Sequence, residues 1–462
     1  MRYVSTRGRA PVLGFEDTML TGLARDGGLY VPETVPTLPP EEIAALAGRP
    51  YEEVALRVMA PFVADAMDET TLGALIEDAY RDFGHPARAP LAQVGPDHFL
   101  LELFHGPTLA FKDFAMQLIG RMFDHVLKAR GNRVTIVGAT SGDTGSAAIE
   151  AFAGLDAVDV FILYPHGRVS EVQRRQMTTP PAANVHALAV EGHFDDCQAR
   201  VKDMFNDLAF RDRVGLAGVN SINFARVLAQ VVYYFAAATA LGAPHRAVSF
   251  CVPTGNFGDV FAGHLAKRMG LPIDRLIVAT NRNDILDRCL RTGAYRTGEV
   301  HPTISPSMDI QVSSNFERAL HVALGGEGAS VASLMEELRS EGGFRVPQGG
   351  LEALRETYRS GRASEEETSA AIARARSETG ELVCPHTAVG LHVAEAHLGR
   401  GPVVTLATAH PAKFPDAVES ATGIRPPLPP RMADLMDRPE RITPVPNDLA
   451  AVERLIDERR AA

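Results

Sequence analysis

The sequence predicts an α/β protein, with parallel sheets covered by helices and a mostly helical region ahead of them. Three observations predict it. Through 96–280, short Val/Ile/Leu-rich runs alternate with longer segments of helical periodicity. Strands buried on both faces and their crossover helices have that texture. Residues 1–95 carry only helical patterns, at 41–47, 51–60 and 70–83, between Pro- and Gly-rich turns. A last apolar strand, 403–407, follows a less regular stretch at 281–420.

His85-Pro86 to Pro90 reads as the first boundary, and 99–103 as the first strand of the α/β region. Gly106 and Pro107 break it. Phe114, Leu118, Met122 and Val126 then recur at helical spacing, so a helix is expected from Phe111 to about Arg130. Strands are predicted at 134–137, 158–164, 184–190, 247–252 and 276–280. Helices are predicted between them at 146–153, 171–177, 195–208, 222–241 and 260–269. Ser364-x-x-Glu367 is a capping box that opens a charged helix. The Pro-rich 425–430 run leads to a terminal helix at 448–459.

A chain of 462 residues has room for two or three domains. The net charge of −11 argues against nucleic-acid and anionic-membrane partners, since no basic field steers polyanions here. An anionic small substrate must then be met by local arginines and helix N-termini. Cys197, Cys251, Cys289 and Cys384 are far apart and form no CxxC pair. Neither a zinc site nor a disulfide framework is supported, no metal is expected, and a reducing, cytoplasmic compartment fits best. No apolar stretch follows the arginines of 1–10, so no signal peptide is expected. The longest apolar patch, 227–243, is broken by Gln230, Thr239 and Gly242 and reads as a buried helix.

Lys112 is the first candidate. It falls in the first turn of a helix, where the positive dipole end disfavours another cation. Leu109, Phe111 and Phe114 would desolvate it. Both effects lower a lysine pKa, and a free amine is what Schiff-base chemistry needs. The alternative is a buried stem with a solvated head.

Three loops are candidate anion sites. The strand at 247–252 runs into Pro253-Thr254-Gly255-Asn256-Phe257-Gly258-Asp259 and then a helix. Gly255 and Gly258 would let backbone N–H groups fold inward, as at a phosphate site; an ordinary βα turn is the alternative. Thr140-Ser141-Gly142-Asp143-Thr144-Gly145 has the same layout and would suit a carboxylate, unless Asp143 or Thr144 simply caps the helix. Asn220, Ser221, Asn223 and Arg226 open the long apolar helix and would make a second phosphate site, or else a capped helix with a surface arginine.

Six motifs together resemble the threonine synthase family: HGPTLAFKDF at 105–114, TSGDTGSAA at 140–148, VNSINFARVLAQ at 219–230, PTGNFGD at 253–259, MDIQVSSNFERAL at 308–320 and TAHPAKF at 408–414. YVSTRG at 3–8 and GLARDGGLY at 22–30 resemble its longer microbial form. The resemblance implies pyridoxal-phosphate fold type II, similar to the tryptophan synthase β-subunit. It implies an N-terminal domain at 1–95, a large cofactor-binding domain at 96–130 and 242–420, a small α/β domain at 131–241 and a C-terminal extension at 421–462. It further implies a carbon–oxygen lyase that converts O-phospho-L-homoserine and water to L-threonine and phosphate, by γ-elimination and β-addition of water.

By the same resemblance Lys112 holds pyridoxal 5′-phosphate as a Schiff base and is catalytic. Gly255, Asn256, Phe257, Gly258 and Asp259 bind the cofactor, with Thr408 near its pyridine nitrogen. Thr140, Ser141, Gly142, Asp143 and Thr144 bind the substrate carboxylate; Asn220, Ser221 and Arg226 bind its phosphate. Relatives acting on serine or cysteine derivatives usually carry SGNTG, whose Asn contacts the cofactor's O3′. Asp143 stands there in this chain, which leaves the O3′ partner unassigned. Lys413 either contacts phosphate or caps local structure. A monomer or weak homo-oligomer is expected. The other readings are a different phospho-amino-acid lyase of the same fold, or a ligand-binding homologue without catalysis.

Overall fold

A computed structural model of the chain describes residues 1–218 and 220–460. Val219, which opens the 219–230 motif, and the last two residues of the C-terminal extension lie outside them. Two sheets frame the protein. The larger runs Tyr358–Arg362, Ile273–Thr280, Val248–Pro253, Val403–Ala407, His98–Glu102, Leu91–Gln93 in spatial order. All its pairs are parallel except the last, where Leu91–Gln93 returns antiparallel to His98–Glu102. The smaller sheet runs Thr443–Val445, Val185–Val190, Val158–Pro165, Val134–Ala139, Leu216–Ala217, all parallel. Val158–Pro165 is buried at every position, as helices on both faces require.

Val403–Ala407 pairs in parallel with both His98–Glu102 and Val248–Pro253, with Thr405 level with Leu100 and Cys251. The loops that follow these three strands therefore leave one edge of the sheet side by side. They are the 103–111 loop before Lys112, the 254–257 loop and the 408–414 segment. The carboxyl ends of parallel strands are where open α/β sheets bind ligands.

The N-terminal region holds helices Phe15–Thr21, Pro40–Ala45, Tyr51–Val63 and Glu69–Tyr80 and a two-stranded ribbon, Tyr3–Ser5 with Tyr30–Pro32. It docks on the Lys112–Arg130 helix through rings: Phe114 packs against Tyr51, Tyr80 and Phe83. The Tyr80 hydroxyl donates to the Phe114 carbonyl at 2.9 Å. The apolar helix Phe224–Ala240 is buried along most of its length between helices Tyr51–Val63, Lys112–Arg130 and Gly258–Arg268. No helix among the described residues is long and apolar enough to cross a membrane. The four cysteines are buried free thiols.

The predicted strands of 96–280 and 403–407 are all present. Helices Asp143–Phe152 and Gly258–Arg268 start earlier than their apolar periodicity suggests, so the anion loops are shorter than expected. The four edge strands of these sheets were not predicted: Leu91–Gln93, Leu216–Ala217, Tyr358–Arg362 and Thr443–Val445. They are short, and two carry Gly, Pro or charge, as edges do. The last ties the C-terminal segment to the smaller sheet. That segment also reaches the larger one, where Arg431 donates to the Gly106 carbonyl at 2.8 Å.

Candidate active site

Lys112 is the first residue of its helix and is buried. The loop before it is fixed by Asp113, whose carboxylate accepts from the Thr108 N–H at 2.8 Å and hydroxyl at 2.5 Å. Gly106 leaves room for that turn; a Cβ there would run into the Asp113 side chain. Across the loop, the Phe111 N–H donates to the Thr408 carbonyl at 2.8 Å, so Thr408 sits beside the residue that precedes Lys112. Of the three apolar neighbours expected to desolvate the lysine, Phe111 does contact it, with Nζ 5.0 Å from the ring centroid. Leu109 packs instead with Val172, Met432 and Leu435, and Phe114 faces the N-terminal rings.

Burial lowers the Lys112 pKa, and the charges of Arg226 and Lys413 push the same way; Asp143 opposes them. The Asp143 Oδ2 lies 3.5 Å from Lys112 Nζ. Its Oδ1 accepts from Lys413 Nζ at 2.9 Å and from Gln173 Nε2 at 2.9 Å. Burial works against the Asp143 carboxylate, but Lys413 and Lys112 hold it well below the usual range. An ionised side chain repels a carboxylate, so at Asp143 only the backbone N–H, at the start of helix Asp143–Phe152, is suited to one. The same loop is shaped by the Thr140 hydroxyl, which accepts from the N–H of Gly142 at 2.9 Å and of Gly145 at 2.8 Å. Gly142 has φ +137° and packs so closely on Gln173 that no Cβ would fit. The N–H groups of Ser141, Asp143 and Thr144 donate to no acceptor among the described residues.

The 253–259 loop is the second nest. The N–H groups of Gly255, Asn256, Phe257, Gly258 and Asp259 donate to no acceptor among the described residues, and they surround a helix N-terminus. The physical reason differs from the one expected. Neither glycine adopts positive φ; Phe257 does, at +63°. The glycines permit close packing: a Cβ on Gly255 would lie 2.7 Å from the Ser307 carbonyl oxygen, and one on Gly258 3.3 Å from Asn315 Nδ2. Ser313 Oγ donates to the Gly255 carbonyl at 2.6 Å, and Asn315 donates to the Asn256 carbonyl through its N–H and Nδ2, both at 3.0 Å. The Asp259 side chain faces away from the nest. Its Oδ1 accepts from Tyr233 at 2.6 Å and Tyr234 at 2.9 Å. Burial pushes its pKa up to about 6, against those hydrogen bonds and the charge of Lys112.

The third loop keeps Asn223 as a capping residue. Its side chain accepts from the Ala225 N–H at 3.0 Å and donates to the Met19 carbonyl at 2.7 Å. Arg226 is buried rather than on the surface, and burial pushes its pKa down to about 10. Ser221 is half-buried and Asn220 exposed, and Asn315 Nδ2 donates to the Ser221 carbonyl at 3.1 Å. One asparagine therefore braces both phosphate-type loops.

Lys413, whose role the sequence left open, is fully buried and donates to the Thr108 carbonyl at 2.7 Å and Gln176 Oε1 at 3.0 Å, besides Asp143. Gln173, Gln176 and His386 were not visible in the sequence as site residues. His386 is buried against Phe414, 4.8 Å between ring centroids, and burial pushes its pKa down to about 4. Its Nε2 accepts from the Ser307 N–H at 3.1 Å, which places the proton on Nδ1, where no protein partner meets it among the described residues. A His directly after a Pro at a helix start was the one signal available in the sequence.

A buried lysine of lowered pKa, a nest of five unspent N–H groups and an orphaned imidazole donor fit pyridoxal phosphate, whose aldehyde, phosphate and ring oxygens need those groups. The family model described as pyridoxal-phosphate dependent enzyme matches residues 85–346. Models described as threonine synthase N terminus and threonine synthase, C-terminal, match 2–80 and 387–456. The class is thus a pyridoxal-phosphate enzyme of fold type II. The particular family follows from the relatives. The chain is 54% identical to threonine synthase of Pseudomonas aeruginosa over 99% of this chain and 98% of that one. It superposes on the pyridoxal-phosphate-bound threonine synthase of Brucella melitensis with TM-score 0.98, at 57% identity and full coverage of both. On the yeast threonine synthase structure the TM-score is 0.94, at 38% identity, covering 99% of this chain and 98% of that one. The chain belongs to the threonine synthase family.

Proposed function

We propose that the chain converts O-phospho-L-homoserine and water to L-threonine and phosphate, with Lys112 as the catalytic and cofactor-bearing lysine. The observation that carries the reading is the buried Lys112 amine between an N–H nest and a buried arginine. When bound, pyridoxal phosphate supplies an electron sink for charge developing at the substrate Cα.

The backbone N–H groups of residues 255–259 hold the cofactor phosphate, and Thr408 stands near the pyridine nitrogen. The N–H groups of Ser141, Asp143 and Thr144, with the hydroxyls of that loop, receive the substrate carboxylate. Arg226, helped by Ser221 and Asn220, receives the substrate phosphate; its guanidinium offers a charge-assisted and bidentate contact. Lys112 takes the Cα proton and also serves at Cβ. Phosphate leaving Cγ stays paired with Arg226 while water adds at Cβ. The small and large sheets then correspond to the substrate-binding and cofactor-binding domains, 131–241 against 96–130 with 242–420.

Incubation with phosphohomoserine and identification of the products test the reading. Threonine with one equivalent of phosphate is expected. A 2-ketoacid with ammonia would assign the chain to a different lyase chemistry.

A further inference from the structure

Lys413 is a buried cation that the chemistry above does not use. Its ammonium has three hydrogens and three acceptors: the Thr108 carbonyl at 2.7 Å, Gln176 Oε1 at 3.0 Å and Asp143 Oδ1 at 2.9 Å. A tetrahedral donor so saturated has no hydrogen left for a phosphate, which favours the local role for it over a phosphate contact. The acceptors come from three elements that meet at the site: the loop before Lys112, helix Glu171–Thr178 and helix Asp143–Phe152.

The consequence falls on Asp143. Its Oδ1 takes two short donors, Lys413 and Gln173, both at 2.9 Å. Only Oδ2 is turned to Lys112, and at 3.5 Å it lies beyond the roughly 2.7–2.9 Å of a charge-assisted bond. We propose that Lys413 is a positioning residue for the Lys112 chemistry: it claims the Asp143 carboxylate, and so keeps Asp143 from locking Lys112 into an ion pair. The proposal rests on Lys112 being the cofactor-bearing lysine.

The other groups that face Lys112 are consistent with this. Arg226 and Lys413 both disfavour a third cation. Asp259 holds two tyrosine hydroxyls on Oδ1 and makes no hydrogen bond to Lys112, and His386 is neutral. Asp143 is therefore the carboxylate that reaches Lys112 among the described residues, and Lys413 decides how much of it is available. Removing Lys413 deletes a like charge and frees a carboxylate, and both changes favour ammonium at Lys112.

The test is competitive acetylation of the full-length protein, stripped of cofactor, across pH. Lys112 is followed by peptide mass spectrometry. Lys413→Met should raise the Lys112 midpoint by about one to three units, the range for an opposite charge nearby. Asp143→Asn should lower it. The double variant should return it close to wild type, and Lys413→Arg should leave it there. A brace without electrostatic effect would not produce opposite signs. If Lys413→Met does not fold, Lys413→Gln takes its place, and the Asp143→Asn arm must still lower the midpoint. A folded Lys413→Met or Lys413→Gln with an unmoved Lys112 midpoint overturns the proposal, as does a rise in Asp143→Asn. Attachment of pyridoxal phosphate to another lysine would instead overturn the reading of Lys112 beneath it.

Discussion

The two strand–loop–helix nests of this protein, at 253–259 and 139–145, look alike in sequence and are built differently. The first is braced from outside. Ser307, Ser313 and Asn315 press on its backbone, and its glycines serve that close approach rather than a special turn. Its acidic side chain, Asp259, is turned away and tied to two tyrosines. The second is braced from within by the Thr140 hydroxyl, and its acidic side chain is turned inward, toward Lys112 and Lys413. The first is a fixed neutral cradle of N–H groups, suited to a resident phosphate. The second couples an anion site to the charge of the reactive lysine, suited to a substrate that comes and goes.

The largest expected effect removes what both nests serve. Lys112→Ala should lower turnover by at least about 10²–10⁴-fold, the range for a positioned proton-transfer group. Cofactor should still bind through the 255–259 nest, visible as retained absorbance after gel filtration; full activity in this variant would contradict the assignment.

A pair of glycine substitutions separates the nests. Gly255→Val places a Cβ against the Ser307 carbonyl, and its larger side chain must displace that backbone, so cofactor should be lost on dilution. Gly142→Ala meets Gln173 at a φ of +137° that alanine rarely adopts, so KM should rise while cofactor stays bound. Equilibrium titration with pyridoxal phosphate beside steady-state kinetics would expose any crossing of the two phenotypes.

Arg226→Ala should lower kcat/KM by on the order of tenfold to a hundredfold, the value of a charge-assisted contact of about 1.5–3 kcal/mol. Arg226→Lys should recover part of it, because the fork geometry is lost. The visible spectrum should not change; a colourless variant would place Arg226 with the cofactor or the fold.

The smallest effect concerns the side chain turned away. Asp259 has a folded pKa of about 6, above its unfolded value of about 3.9. Folding therefore favours its protonated form. Stability is undiminished below the unfolded pKa and is lost as pH rises through the folded one. Asp259→Asn keeps an oxygen for both tyrosines and escapes this cost. The stability difference, variant minus wild type, should thus grow by about 1–3 kcal/mol between pH 4 and 7. Urea unfolding at both pH values measures it, and a flat difference would mean the carboxylate is not strained by burial.

Much of this was legible in the sequence, and the reasons are specific. Buried parallel strands are unbroken apolar runs, so 158–164 and 403–407 stand out. Loops bounded by a strand and a helix show themselves through Gly and Thr, so Lys112 and the nests were visible. What closes them was not. Ser307, Asn315, Gln173 and Gln176 are ordinary polar residues whose roles depend on contacts across 30 or more positions. The Lys413–Asp143 pair spans both sheets, and no periodicity reports it. The direction of Asp143 could not be read either, since an aspartate at a helix start is as apt to cap the helix as to face a neighbouring lysine. Phe257 at positive φ misled differently, because glycine is the residue that sequence reasoning puts there.

Two buried lysines stand at one site, and the account gives the cofactor to one of them. Borohydride reduction of the protein with pyridoxal phosphate bound, followed by peptide mapping, decides between them. The label is expected on Lys112 alone, with Lys413 unmodified. Label on Lys413, or on an exposed lysine such as Lys128, would contradict the assignment of both residues.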